Sequence, residues 1–315
     1  MAKVAGVPRT GGRRRVGGVL SAVARRFAPP PEPRKDPHDL PVTYNLLAGL
    51  SLSLADPDAD PPGANDPDRK LTDLHPRPVV LVHGMAMTAA VSWAALSPLL
   101  VNHGYCVFAL NYGGRTGRGL KGLGDNVASA RLLAGFVDDV LERTGAEQVD
   151  VVAHSQGSPV TRYYMRRFGG AEKVATLVGL SPSNHGSTAN GMGTALTRFG
   201  PTRRAVDRFV PGTAQLVVGS AYLREVNEGG DTLPGVDYTV IASKHDKVIT
   251  PSYRQAFLDG PRVTNITLQD TCRKDRSEHY AVLYNRRALA LTLNALDPEH
   301  PVPVPSARIR PLLGG

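Results

Sequence analysis

One short segment combines residue types and spacing that could support nucleophilic chemistry: AHSQG at residues 153–157. It follows an apolar stretch, QVDVVA, and precedes a helical pattern that begins near Ser158. A sharp turn from a strand into a helix lifts a serine hydroxyl above a sheet, and it needs small residues on both sides. Ala153 and Gly157 meet that need, although glycine is usual at the first position. Ser155 is therefore a candidate nucleophile, and the alternative is an ordinary serine that caps a helix.

A serine hydroxyl is a weak nucleophile, so it needs a histidine base and a carboxylate that orients the histidine. Where such a turn occurs, the usual chain order is serine, acid, histidine, which leaves His185, His245 and His279. His279 lies in the loop DRSEHY, before the last helical pattern, and is the favoured base. Asp246 follows the strand pattern DYTVIAS and is the favoured acid, with Asp270 as the alternative.

Acyl transfer also requires donors for the negative charge that develops on the carbonyl oxygen. The backbone amide of Gln156, directly after the serine, is one predicted donor. The second normally comes from the loop after the first central strand, where HGM at residues 83–85 supplies the amide of Met85. This chemistry requires no metal and no cofactor. Four further residues are predicted to lie around a substrate pocket: His83, Gly84, His154 and His185.

Short β-branched apolar runs alternate with helical patterns from residue 77 onward. Such runs are typical of strands buried on both faces, and their alternation with helices predicts an α/β fold with a mostly parallel sheet flanked by helices. Residues 182–236 depart from this pattern, and a connection of that length predicts a cap or lid. The predicted strands cover residues 78–84, 106–112, 148–155, 174–181, 237–243 and 264–270.

Both ends of the chain are predicted to lie outside the folded domain, which covers residues 41–300. Residues 1–40 are rich in proline and basic residues, so we expect a disordered tail that contains a degenerate export signal. Residues 301–315 are predicted to be a C-terminal tail. Seven of the 37 Lys and Arg lie in the first 26 residues, which leaves 30 against 28 acidic residues and excludes a broad nucleic-acid-binding face. No apolar run approaches the roughly 18 residues that a transmembrane helix needs.

Several segments together resemble the actinobacterial class 2 lipases. They are PVVLVHG, GYCVFALNYGG, VDVVAHSQG, LVGLSPSNHG, GVDYTVIASKHDKVITP and SEHY, within about residues 40–300. The resemblance implies a secreted or cell-envelope α/β-hydrolase that acts on acyl esters or lipids and contacts lipid surfaces peripherally. It also implies a catalytic triad of Ser155, Asp246 and His279, with Met85 and Gln156 at the oxyanion hole.

The sequence departs from that family at its cysteines. Members pair the cysteine of GYC and the cysteine of QDxC with upstream partners, which are missing here from NDPDRKLTD and VPGTAQ. Cys106 and Cys272 therefore lack both partners, which makes a cytoplasmic enzyme the alternative to a secreted one. Two alternatives to ester hydrolysis also stay open. They are an acyltransferase that uses the same triad, and a catalytically silent binding protein with this fold.

Overall fold

The computed structural model describes residues 39–114, 119–188 and 210–315. Within these residues, six strands form one sheet in the order β2-β1-β3-β4-β5-β6. Every neighbouring pair is parallel, which confirms the predicted α/β class. The strands are β1 (Val79–Val82), β2 (Val107–Leu110), β3 (Val149–His154), β4 (Val174–Leu180), β5 (Asp237–Ala242) and β6 (Val263–Thr267).

Helices connect the strands and cover the sheet. The last strand is shorter than predicted, because a helical turn begins at Leu268. None of the described helices has both the length and the apolar character needed to cross a bilayer. The α-helices are α1 (Leu46–Ala55), α2 (Ala89–Trp93), α3 (Leu96–Asn102), α4 (Asn126–Thr144), α5 (Gly157–Arg167), α6 (Pro211–Gln215), α7 (Ala221–Val226), α8 (Leu268–Thr271) and α9 (Arg286–Leu296), with 3₁₀ turns at Gly170–Glu172, Tyr253–Ala256 and Ala281–Tyr284.

The sheet separates two apolar cores. Successive side chains of a strand point to opposite faces, and in β1 Val80 and Val82 join the core that contains α4, α5 and α7. Val79 and Leu81 join the opposite core, which contains Trp93 and the helices α2, α3 and α9. Because both faces are covered, β1 has no solvent-facing side and its sequence is continuously apolar.

The strand order changes direction at β1. The chain runs from β1 to β2 on one side and then crosses back to β3 on the other. Val82, the last residue of β1, is paired with Ala153 of β3. In open parallel sheets such a reversal leaves a crevice outside the carboxyl ends of the strands, where ligands bind. The loop after β1 and the turn after β3 therefore begin side by side at this crevice.

The chain end that the sequence predicted as a tail packs against the domain. Ile309 is 1% exposed and forms a bridge with Asp275. The amide of Glu278 donates to the carbonyl of Pro311 at 2.8 Å, close to His279 in the chain. The predicted C-terminal tail therefore packs on the fold at this stretch, because its apolar side chain and its backbone both find partners there.

The predicted insertion is described only in part, since residues 189–209 lie outside the described residues. Its later half forms α6 and α7, and Tyr222 and Val226 of α7 are buried in the core beside α5. The amide of Gly212 in α6 donates to the carbonyl of Leu123 at 3.3 Å. This half is part of the domain, and a cap over the site stays a prediction. The predicted N-terminal tail lies almost entirely outside the described residues, which begin at residue 39.

Candidate active site

Ser155 lies at the turn between β3 and α5. It has a positive φ of 50°, directly after the last residue of β3. A non-glycine residue in this region costs of order 1–3 kcal/mol and persists only where its surroundings hold it in place. Here the Ser155 amide donates to the carbonyl of Leu180 at 3.1 Å. A Cβ at Gly157 would lie 2.3 Å from the carbonyl oxygen of Val82, so only glycine fits at that end of the turn.

Three residues predicted from separate parts of the chain lie within hydrogen-bonding distance of one another. Nε2 of His279 lies 2.9 Å from Oγ of Ser155. Nδ1 of the same ring lies 2.8 Å from Oδ2 of Asp246. Ser155 is 7% exposed, and the other two side chains are buried. With Nδ1–H donating to the carboxylate, Nε2 is left to accept the proton of the serine hydroxyl.

The surroundings of Asp246 keep it ionised. Burial by itself raises the pKa of this carboxyl, but the charge and hydrogen bond of His279 and two backbone amides together hold the pKa below its usual value. Oδ1 accepts from the amides of Val248 and Ile249 at 2.8 and 2.9 Å. An anion at this position stabilises the imidazolium that forms when His279 takes a proton.

The alternative acid Asp270 and the candidate histidine His185 make their contacts elsewhere. Asp270 is on α8, and its carboxylate pairs with Lys244 at the surface. Nε2 of His185 lies 3.0 Å from the carbonyl oxygen of Phe257 and 3.2 Å from Oδ2 of Asp231. These contacts tie the loop after β4 to two neighbouring segments. The structure therefore gives His185 a role in holding that loop.

Two histidines that the sequence placed around the pocket are completely buried. Nδ1 of His83 lies 2.7 Å from the carbonyl oxygen of Gly84, and its Nε2 accepts from the amide of Tyr112 at 3.4 Å. Nε2 of His154 lies 3.1 Å from the carbonyl oxygen of His279. Both residues are 0% exposed, and these contacts join their rings to the backbone of neighbouring loops; that they line a substrate pocket stays a prediction.

The loop after β1 passes very close to the candidate nucleophile. A Cβ at Gly84 would lie 2.7 Å from Nδ1 of His154 and 3.1 Å from Cβ of Ser155, so a side chain there would push the loop away. This approach brings the next residue, Met85, to the crevice. Within the described part of the chain, neither the Met85 amide nor the Gln156 amide donates a hydrogen bond. Both N–H groups are thus without a protein acceptor among these residues.

The buried histidines lead us to expect a fold that is sensitive to acid. Burial lowers the pKa of His83 to about 4 and that of His154 to about 3, whereas an unfolded histidine titrates near pH 6.5. Below that pH the unfolded chain binds more protons than the folded one. The free energy of unfolding should therefore fall with decreasing pH, by up to about 1.4 kcal/mol per unit for each histidine.

Urea unfolding at pH 7 and pH 5 measures this effect. A His83→Gln variant should show a smaller loss of unfolding free energy between the two pH values than the wild type. An identical loss in both proteins would contradict the assignment of acid sensitivity to this ring.

Buried polar residues that the sequence did not single out hold the loop of His279. Asp275 is 0% exposed. Its carboxylate accepts from the amide of Ser277 at 2.9 Å and from Nδ2 of Asn285 at 2.8 Å. Oγ of Ser243 donates to the Ser277 carbonyl at 2.5 Å. The spacing of Asp275 and Ser277 is typical of an Asx turn, but such turns are common in loops, so the signal alone does not indicate a site.

A parallel sheet with a serine on the turn after a central strand, and an imidazole after the last strand, defines an α/β-hydrolase. Residues 76–289 match the family model described as lipase (class 2), and the chain belongs to this family. The resemblance noted in the sequence is thereby confirmed.

Individual relatives match smaller parts of the chain. Triacylglycerol lipases of Pseudarthrobacter phenanthrenivorans and Burkholderia plantarii are 37% identical to it over 92 residues. That alignment spans 27% of this chain and 27% and 24% of the two relatives, about a quarter of their length.

Solved structures show a similar fold. Lipase B of Aspergillus fumigatus has a TM-score of 0.59 at 21% identity, over 89% of this chain and 65% of that one. The mature lipase BlEst2 of Bacillus licheniformis has a TM-score of 0.56 at 14% identity, over 73% of this chain and 96% of that one. At these identities the likeness supports the fold and not a shared substrate.

Proposed function

We propose that this protein is a serine hydrolase that cleaves carboxylic acyl esters through an acyl-enzyme intermediate. The observation that carries the proposal is the unbroken series of hydrogen-bonding contacts from Ser155 through His279 to Asp246. As Oγ of Ser155 attacks the acyl carbonyl, Nε2 of His279 takes the hydroxyl proton. The carbonyl oxygen becomes an oxyanion, and the amides of Met85 and Gln156 donate to it.

Collapse of the tetrahedral intermediate breaks the bond between the acyl carbon and the alcohol oxygen. His279 returns its proton to that oxygen, so a neutral alcohol leaves and the acyl group stays on Ser155. A water molecule then attacks the acyl carbon and gives its proton to His279. The second collapse releases the carboxylic acid and returns the proton to Ser155. Asp246 stays ionised throughout and stabilises the imidazolium in both steps.

We propose lipid esters as the substrate class. The relatives named above are triacylglycerol lipases, and α1 supports contact between the protein and a lipid surface. This helix, LLAGLSLSLA, contains no charged residue. Leu50, Leu52 and Leu54 are all exposed on it. Exposed apolar side chains of this kind favour peripheral association with an apolar phase.

Hydrolysis of p-nitrophenyl esters, from C2 to C18 acyl chains and with or without emulsion, tests the proposal. We expect turnover of esters, release of the free acid, and covalent labelling of the wild-type protein by a fluorophosphonate. Addition of competing alcohols separates hydrolysis from acyl transfer, since a transferase would form a new ester as its main product. A protein that neither turns over esters nor takes the label would be the catalytically silent alternative.

Secretion or attachment to the cell envelope stays a prediction from the family, with the cytoplasm as the alternative. The fold does not depend on a disulfide in the described residues, because Cys106 and Cys272 are both buried as free thiols. Fractionation of cells that express the full chain, followed by the ester assay on each fraction, distinguishes the compartments.

A further inference from the structure

The side chain of Gln156 has no part in the mechanism above, which uses only its backbone amide. This side chain is completely buried, and its Nε2 donates to Oδ1 of Asn126. Its Oε1 accepts no hydrogen bond from the described residues. A Cβ at Gly122 would lie 3.3 Å from this Oε1 and 3.1 Å from Cα of Met85. The side-chain amide of Gln156 is therefore enclosed close to the two candidate oxyanion donors, which are the backbone N–H groups of Met85 and Gln156.

Two residues of α6, Gly212 and Gln215, accept hydrogen bonds from Asn126. It is the first residue of α4, and its backbone amide donates to Oε1 of Gln215 at 2.7 Å. Its Nδ2 donates to the carbonyl oxygen of Gly212 at 3.4 Å. Nε2 of Gln215 in turn donates to Oδ2 of Asp125 at 2.7 Å. Because a carbonyl oxygen can only accept, the contact with Gly212 sets the direction of the Asn126 side chain and points its Oδ1 at Gln156.

We propose that Asn126 is a positioning residue for the oxyanion hole. It holds the Gln156 side chain, and through it the direction of the Gln156 N–H. It also connects that residue to α6, the first described helix after residues 189–209. This inference rests on the proposed function. Its physical basis is that an oxyanion donor must lie within about 2.7–3.1 Å of the developing charge to be effective.

Steady-state kinetics of an Asn126→Ala variant test the proposal. Complete loss of one oxyanion donor costs about 10²–10³ in kcat, so its misdirection is expected to lower kcat by about 10- to 100-fold. KM should change by less than about threefold, since ground-state binding does not depend on this donor. Ser129→Ala is the matched control, because Ser129 is buried on α4 and its Oγ donates to the Asp125 carbonyl at 2.7 Å. The control should keep the wild-type kcat.

A double-mutant cycle separates positioning from general stability. Gln156→Met keeps the backbone N–H and the side-chain length but cannot donate to Asn126. It should lower kcat about as much as Asn126→Ala, and the double variant should show no further loss. Wild-type kcat in either single variant, or losses that multiply in the double variant, would overturn the proposal. If Asn126→Ala does not fold, the kcat of Gln156→Met decides alone: a wild-type value would overturn the proposal.

The same experiment keeps the two proposals apart. The rate of fluorophosphonate labelling is measured beside kcat for every variant. A wild-type protein without turnover or labelling contradicts the proposed function itself. An active wild type with fully active Asn126→Ala and Gln156→Met variants contradicts only the positioning role of Asn126.

Discussion

A Ser155→Ala variant is expected to lose about six orders of magnitude in kcat for ester hydrolysis, because the acyl-enzyme of the proposed reaction forms on this hydroxyl. The fold should persist, since the alanine methyl group keeps the position of the serine Cβ and only the hydroxyl that contacts His279 is lost. Hydrolysis of p-nitrophenyl esters measures the loss, and a fluorophosphonate should no longer label the protein. Thermal unfolding should show a midpoint close to that of the wild type.

Ser158→Ala is the appropriate comparison for that variant. Ser158 is also buried on α5, but its Oγ donates to Oδ1 of Asn184 at 2.8 Å and not to an imidazole. This variant should keep its activity within a few-fold of the wild type and should still take the label. Activity near the wild-type level in Ser155→Ala would show that Ser155 is not the nucleophile.

An Asp246→Asn variant should lower kcat by about 10⁴-fold. The substitution preserves shape but removes the charge that stabilises the imidazolium. The asparagine can also present its NH₂ group to the ring, which favours the tautomer with its proton on Nε2. That tautomer cannot accept the proton of Ser155. KM should change little, because the carboxylate is buried behind His279 and does not face the crevice.

Asp270→Asn provides the matched control, since Asp270 was the alternative acid in the sequence. Its carboxylate lies at the surface beside Lys244, where solvent screens the ion pair and leaves it little effect on stability. Its activity should equal that of the wild type. A large loss in Asp270→Asn together with an active Asp246→Asn would mean that the acid has been assigned to the wrong strand end.

The features of the site that residue type and spacing predict share a local cause. Small residues around Ser155 indicate a tight strand-to-helix turn, and Gly84 indicates that the backbone passes close to its neighbours. Both constraints act between near neighbours or on the backbone itself, so they restrict which residue types can occur at these positions. The contacts of Asn126 cannot be predicted in this way, because its partners Gln156 and Gln215 lie 30 and 89 residues away along the chain.

The sequence by itself determined the parallel α/β class, the turn that presents Ser155 and the chain order in which its partners follow. Apolar runs and glycine positions encode these features directly. Only the tertiary structure placed the carboxylate of Asp246, and not that of Asp270, against His279, buried the rings of His83 and His154, and packed Ile309 onto the domain. Those outcomes depend on which loops meet at the carboxyl edge of the sheet and on which side chains lose contact with water. Both follow from packing between distant segments, which residue type and spacing do not record.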